Sequence, residues 1–308
     1  MISNKFAIQN LGFFSEIEFE LKTKIHFFMN TFAFFKDNII QRSKMSISPD
    51  DRGYLLGDGI YEVMRLHNHN IWAYDLHYQR LVRSLQEVSI SYPQISNLHN
   101  IINELIRLNG VGEGHQKIYI QITRGDAPRI HRFPSPPVVP NCYVEISDFP
   151  LATSKMNNGI SVITSEDIRW LRCDIKSINL LPNVMLNQKA FELGADEVFL
   201  VRNGVITEGT HNNIFGVKNN TLYTHPVNNL ILKGVTRSLI LEIAAKENIN
   251  VLETPISLQE INDFEEFFVC GTGAILFPVT KINNLVVGDG KVGKMSNFLG
   301  EKLLADLT

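Results

Sequence analysis

The chain has 308 residues, enough for one large core or for two domains of about 100–200 residues each. Apolar residues make up 44% and charged residues 20%, a balance that excludes global disorder. The formal charge is −3 with no acidic or basic block, so nucleic acid and anionic membrane, which need concentrated basic surfaces, are not expected partners.

Residues 1–28 are expected to be an extension outside the fold. They mix Lys5, Glu16, Glu18, Glu20, Lys22 and Lys24 where a secretion signal needs a clean apolar stretch, and a native start at Met29 is the matching expectation. No uninterrupted run of about 18 apolar residues is present, which argues against a spanning helix. Cys142, Cys173 and Cys270 are odd in number and widely spaced; they suggest neither a disulfide framework nor a metal pair, and a reducing cytoplasm is the expected compartment.

In chain order, Asn30 to Phe35 predicts a first strand ending in the turn Lys36-Asp37-Asn38. Ile60 to Leu66 predicts a second, joined through Asn68-His69-Asn70 to Ile71–Tyr74 as a hairpin. Asp75 is placed to cap a helix carrying Leu76, Leu81, Leu85 and Val88. Another helix is predicted from Asn97 to Leu108, then buried strands over Lys117–Thr123 and Val138–Ile146. Asp148-Phe149-Pro150 breaks the pattern, and Lys155 to Gly159 is turn-prone. Beyond it come a strand from Ile160 to Thr164, a helix from Leu181 to Leu193 and a strand from Glu197 to Val201. A hairpin over Asn219-Asn220 and a helix from Val235 to Lys246 follow. The expected class is α/β (α+β) in two domains, an N-terminal one over 29–149 and a C-terminal one over 157–308, with a linker over 150–156. Function is expected where the two meet.

Four features carry possible chemistry. Lys176 is flanked by apolar residues, and a lysine drawn into a pocket loses its proton more readily and becomes a Schiff-base former; a solvated surface charge is the other reading. Glu208 is either a charge leaving a strand at a turn or a carboxylate aimed at a cofactor's ring nitrogen. Leu232-Lys233-Gly234-Val235-Thr236-Arg237 opens a helix with a glycine and a hydroxyl, which suits a phosphate cup and ordinary capping equally. Arg80 shares a helix face with His77 and Ser84; it either brings positive charge to such a phosphate or snorkels.

Taken together, these blocks resemble the fold-type IV pyridoxal-phosphate enzymes, also called class IV aminotransferases, and most closely their D-amino acid branch. The resemblance runs from about Phe32 to the C-terminus. It rests on Asp51-Arg52-Gly53-Tyr54-Leu55-Leu56-Gly57-Asp58-Gly59-Ile60-Tyr61-Glu62-Val63, on Ile122-Thr123-Arg124-Gly125, on Pro128-Arg129-Ile130-His131, and on the segments around Lys176, Glu208 and Gly234. It implies a smaller N-terminal α/β domain and a larger C-terminal pseudo-barrel that binds pyridoxal 5'-phosphate. It implies Lys176 as the Schiff-base lysine and proton shuttle, and Glu208 as the partner of the pyridine nitrogen. Arg80, Val235, Thr236 and Thr272 are implied around the phosphate, with Leu232 against the ring. Tyr61, Arg129 and His131 are implied on the substrate carboxylate, the last two reaching from the partner subunit of a homodimer. The implied reaction is transamination of D-amino acids, with D-alanine and 2-oxoglutarate giving pyruvate and D-glutamate.

Two departures bear on substrate. Thr210-His211-Asn212 stands where the family carries a serine-rich stretch. Cys270-Gly271-Thr272-Gly273-Ala274-Ile275-Leu276-Phe277-Pro278 lacks several hydroxyls and an acidic residue, and reads closer to the branched-chain enzymes. Arg65 is shared across branches. The competing expectations are a branched-chain L-aminotransferase, an aminodeoxychorismate lyase, and a cofactor-binding protein without turnover.

Overall fold

The structure, a computed structural model, describes residues 31–308, so the expectations for residues 1–28 and Met29 lie outside the described residues. The first sheet is built from β1 (Phe32–Phe35), β2 (Asn38–Gln41), β3 (Gly59–His67), β4 (Asn70–Ile71), β5 (His115–Thr123) and β6 (Asn141–Asp148), in the order β2-β1-β6-β5-β3-β4. All of its pairings are antiparallel. Along β5, Ile118, Ile120 and Ile122 are fully buried, while Lys117, Tyr119 and Gln121 are half-buried on the opposite face. This period of two gives the sheet a core side and a side free for a ligand.

The core side is covered by α2 (Tyr74–Glu87) and α3 (Leu98–Asn109); a short helix, α1 (Arg52–Leu56), precedes β3. Buried residues on α2 are His77, Leu81, Ser84 and Leu85, on α3 Leu98, Ile101, Ile102 and Leu105, both at helical spacing. α2 begins at Tyr74, so Asp75 lies inside its first turn and the expected cap is not made. Ala73, in a left-handed conformation with φ 51°, stands at the cap position instead, two residues after β4 ends at Ile71.

Phe149 to Ala152 leads into α4 (Thr153–Asn158), so the turn-prone segment is largely one short helix. The second sheet follows: β7 (Ile160–Glu166), α5 (Leu181–Glu192), β8 (Glu197–Arg202), β9 (Val205–Ile206), β10 (Asn213–Lys218), β11 (Thr221–Thr224), α6 (Val235–Lys246), β12 (Asn250–Leu252), β13 (Ile256–Ser257), β14 (Glu266–Gly271), β15 (Ile275–Ile282), β16 (Leu285–Val286) and α7 (Lys294–Leu307). Its order is β12-β11-β10-β14-β15-β7-β8-β9-β13, with β16 on β15. The β7–β8, β7–β15 and β11–β12 pairs are parallel, and α5 is the crossover of the first. Phe215, Phe268, Ile240, Ala244, Leu299 and Leu303 form its core beneath α6 and α7. Phe199, Ile214, Phe267 and Val279 form another on the other face.

Candidate active site

The segment 167–180, between β7 and α5, is drawn across the first sheet. The Tyr61 N–H donates to the Lys176 carbonyl (2.9 Å), and the Ile178 N–H donates to the Gly59 carbonyl (3.1 Å). The Lys176 N–H reaches the Ser84 hydroxyl on α2 at 3.4 Å. Asp174 anchors the same loop by accepting from Arg83 (2.6 Å) and Arg172 (3.0 Å). Backbone contacts on both sides therefore fix where the Lys176 side chain leaves the loop. Its Nζ lies 4.2 Å from the centre of the Tyr61 ring.

Behind this lysine, β3 and α2 share a buried ionic cluster. Glu62 accepts from Arg80 Nε (2.9 Å) and Nη2 (2.6 Å), and meets His77 Nδ1 at 3.0 Å. Burial opposes charge on Glu62, but Arg80 and His77 overcome it and hold the carboxyl well below the usual range. Burial pulls the His77 imidazole down, against the attraction of Glu62. Arg80 keeps one nitrogen for the Lys233 carbonyl, 3.2 Å away at the mouth of the cup described below. The snorkelling alternative for Arg80 is thus excluded, since its side chain is only 10% exposed.

Glu208 follows β9 and is buried at the wall of the cavity. One of its oxygens accepts from Arg169, and the other from Asn213 Nδ2 (3.0 Å) and the Leu232 N–H (3.0 Å). Burial dominates and pushes its carboxyl up to about 7, although Arg169 pulls the other way. Arg169 divides its charge, because Asp167 also accepts from its Nε (2.9 Å) and Nη2 (3.0 Å).

Asn213 also donates to the Leu232 carbonyl at 2.9 Å, which sets the approach to α6. Gly234 lies so close that a Cβ there would be 1.9 Å from Asn213 Oδ1, so a larger residue would have to displace the Asn213 side chain and its hydrogen bonds. α6 starts at Val235 with Gly234 as its cap and no side-chain cap bond, leaving its first N–H groups for a ligand. The Thr236 hydroxyl is buried there without a hydrogen-bond partner. Opposite, the Gly271–Ile275 turn joins β14 to β15. Arg65, fully buried on β3, donates to the carbonyls of Thr272 (3.1 Å), Gly273 (3.1 Å) and Phe149 (2.8 Å). No carboxylate meets it among the described residues, and burial lowers its guanidinium to about 10.

Tyr61, Arg80, Lys176, Glu208, Leu232, Val235, Thr236 and Thr272 all line one cavity of about 890 Å³. Eight residues expected from the sequence are thereby brought together from both sheets. Arg129 and His131 are not: they lie exposed on the loop between β5 and β6, outside this cavity. That loop is held where the Ile130 carbonyl accepts from Arg52 (2.7 Å) and Phe133 lies 3.6 Å beneath the Arg124 guanidinium. His211 and Cys270, open in the sequence, both line the cavity. Arg169, Asn213 and the Glu62–His77 pair carry no sequence signal as site residues. An amine, a buried carboxylate, and an uncapped helix start with an orphan hydroxyl beside a guanidinium form a donor set that fits a phosphorylated pyridine aldehyde.

The family model for amino-transferase class IV matches residues 59–282. The chain is 39% identical over 272 residues to a D-alanine aminotransferase of Staphylococcus haemolyticus, covering 88% of this chain and 96% of that one. It is 39% identical over 266 residues to a D-alanine aminotransferase of Bacillus licheniformis, covering 85% and 92%. The branched-chain amino acid aminotransferase of Escherichia coli superposes with a TM-score of 0.84 at 22% identity, over 91% of this chain and 95% of that one. The branched-chain aminotransferase of the thermophilic archaeon Thermoproteus uzoniensis, solved with norvaline, gives 0.80 at 21% identity, over 89% and 94%. At such identities these two establish the fold.

Proposed function

The chain belongs to the class IV aminotransferases, and from that premise we propose that it transaminates D-amino acids with bound pyridoxal 5'-phosphate, D-alanine and 2-oxoglutarate giving pyruvate and D-glutamate. The observation that carries the cofactor reading is the convergence of Lys176, Glu208 and the open start of α6 in one cavity. The D-alanine reading draws on the two relatives named above. When bound, the cofactor supplies the electron sink for the charge left at the substrate α-carbon.

The residues of the chain divide the remaining work. Lys176 Nζ would hold the cofactor and, as a free amine, would take the substrate α-proton as a general base and return it as an acid. Glu208 holds a proton at the ring nitrogen, a task that suits a carboxyl pushed up to about 7. Val235 and Thr236 at the start of α6, with Arg80 and Thr272, bind the phosphate, and Leu232 packs on the ring. Tyr61 holds the substrate α-carboxylate together with Arg129 and His131 of the partner subunit. Those two lie outside the chain's own cavity, so the complete site requires a homodimer. Exposed Leu181, Val184 and Met185 on one face of α5, with exposed Trp170 and Leu171 beside the cavity loop, form an apolar surface suited to that contact. The domain limits that go with this reading are 29–149 and 157–308, joined by 150–156.

The test is a half-reaction without an amino acceptor. Yellow holoenzyme mixed with D-alanine should lose its visible cofactor band and release one equivalent of pyruvate, while L-leucine leaves the band in place. Conversion by L-leucine alone would instead assign the chain to the branched-chain branch. Pyruvate release from aminodeoxychorismate would point to the lyase.

A further inference from the structure

His211 sits on the segment where this chain departs from the serine-rich pattern of its family, and its ring is 62% exposed while lining the cavity. Beneath it lies Glu197, at the start of β8 and 1% exposed. Its Oε1 accepts from the Val198 N–H (2.8 Å), the Thr210 N–H (2.9 Å) and the Thr210 hydroxyl (2.5 Å). Its Oε2 accepts from Asn212 Nδ2 (2.7 Å) and lies 3.2 Å from His211 Nδ1. Because the Thr210 hydroxyl spends its proton on Glu197, its 3.0 Å contact with His211 Nδ1 needs that nitrogen as donor. Both neighbours therefore place a proton on Nδ1. The opposite edge of the ring, Nε2, is left for a ligand; with one proton already on Nδ1, it carries a hydrogen for an anion when the ring takes up a second proton.

The position of the ring relative to Tyr61 narrows the ligand. Tyr61 is on β3 of the first sheet, and His211 is on the β9–β10 loop of the second, across the cavity. With the α-carboxylate held at Tyr61 as proposed above, the second-sheet side of the cavity that His211 lines is where a substrate side chain would lie. The other cations lining the cavity are engaged or misplaced for that end. Lys176 is assigned to the cofactor, Arg80 is paired with Glu62, Arg169 with Glu208 and Asp167, and Lys117 stands on β5 beside Tyr119, on the Tyr61 side. We propose that His211 is a specificity-determining residue whose Nε2–H receives the distal carboxylate of dicarboxylic substrates, the D-glutamate and 2-oxoglutarate class, with Glu197 as the residue that positions its ring. This rests on the proposed transamination.

The experiment compares wild-type, His211→Ser and His211→Lys holoenzymes. In His211→Ser the ratio of kcat/KM for D-glutamate to that for D-alanine should fall roughly tenfold to a hundredfold, the range for losing one charged hydrogen bond. Calorimetric titration should show glutarate losing its advantage over butyrate by a similar factor, and His211→Lys should recover part of both. An unchanged ratio would overturn the proposal and leave Lys117 as the cation to test. Equal losses for D-glutamate and D-alanine would reduce His211 to a structural role. A holoenzyme that never converts D-alanine would sink the proposed function instead, while the glutarate-to-butyrate preference would still report on His211.

Discussion

Two buried carboxylates belong to the candidate site, Glu208 lining the cavity at 5% exposure and Glu62 behind Arg80 at 0%. Their surroundings drive them in opposite directions. Glu62 receives both nitrogens of the Arg80 fork and His77 from the same helix, and it is held well below the ordinary carboxylate range. Glu208 has only one guanidinium, shared with Asp167, and the negative charge of Asp167 adds to burial in pushing it up to about 7. Burying a carboxylate near an arginine does not by itself decide its proton affinity. What decides it is how many donors that arginine commits and what other anion competes for them. Glu62 is built as an anion that fixes Arg80, whereas the raised carboxyl of Glu208 suits the proposed sharing of a proton with a ring nitrogen.

Substituting each carboxylate breaks this comparison in a different way. Glu62→Gln leaves Arg80 and His77 facing each other without their counter-charge. The cofactor-free protein should lose about 3–5 kcal/mol of stability in chemical denaturation, the cost of breaking a buried pair. A loss below about 1 kcal/mol would mean that Glu62 is not the anion described. Glu208→Gln should have the opposite profile. Stability falls less than for Glu62→Gln, because Arg169 keeps Asp167 as its counter-charge and glutamine keeps the Asn213 and Leu232 contacts, while kcat in the D-alanine reaction falls about a hundredfold, as for other electrostatic groups in active sites. Equal kcat for the variant and the wild type would remove Glu208 from its assigned role.

The pH dependence of the cofactor-free protein sharpens the contrast. The folded-state pKa of Glu208 is raised above its ordinary 4.5, so the folded chain keeps a proton that the unfolded chain releases. Its stabilising contribution is full below about 4.5 and is lost as pH rises through about 7. Glu62 has its pKa lowered, so its contribution is present above 4.5 and is lost as the solution becomes strongly acidic. Unfolding midpoints measured between about pH 4 and 8 should therefore decline less steeply in Glu208→Gln than in wild type. Parallel curves would refute the raised value.

How much of this is legible in the sequence depends on distance along the chain. Lys176, Glu208 and Gly234-Val235-Thr236 each sit in a short segment that admits the chemistry without deciding it, and only the set taken together resembles a family. The helix from Val235 to Lys246 has the bounds that its pattern predicts. Arg169 is invisible as a site residue because its carboxylate partner is 39 positions away, and the sequence does not show what Arg65 holds because that turn is 207 positions away. Nothing in a window of about ten residues reports such a contact. The strands beyond residue 250 escape the pattern for another reason. β12, β13 and β16 have only two or three residues each, and β15 carries Pro278. Asp75 does not serve as the expected cap because the left-handed Ala73 starts the helix two residues earlier, and nothing in its type foretells that conformation.

Thr236 offers the smallest and most selective test, because its effect should change sign. Its hydroxyl is buried beside an uncapped helix start and has no partner within the described residues. In the cofactor-free protein that group bears a desolvation cost with nothing in return, so Thr236→Val, which keeps the shape, should leave stability unchanged or raise it by up to about 1 kcal/mol. In the holoprotein the same hydroxyl becomes a donor to a phosphate oxygen, and the substitution should weaken cofactor binding by about tenfold in an equilibrium titration. Thermal unfolding with and without cofactor reads both halves. A variant less stable than wild type in the cofactor-free state would mean that the hydroxyl already has a partner. An unaltered cofactor affinity would move the phosphate away from the start of α6, and with it the reason that this helix begins without a cap.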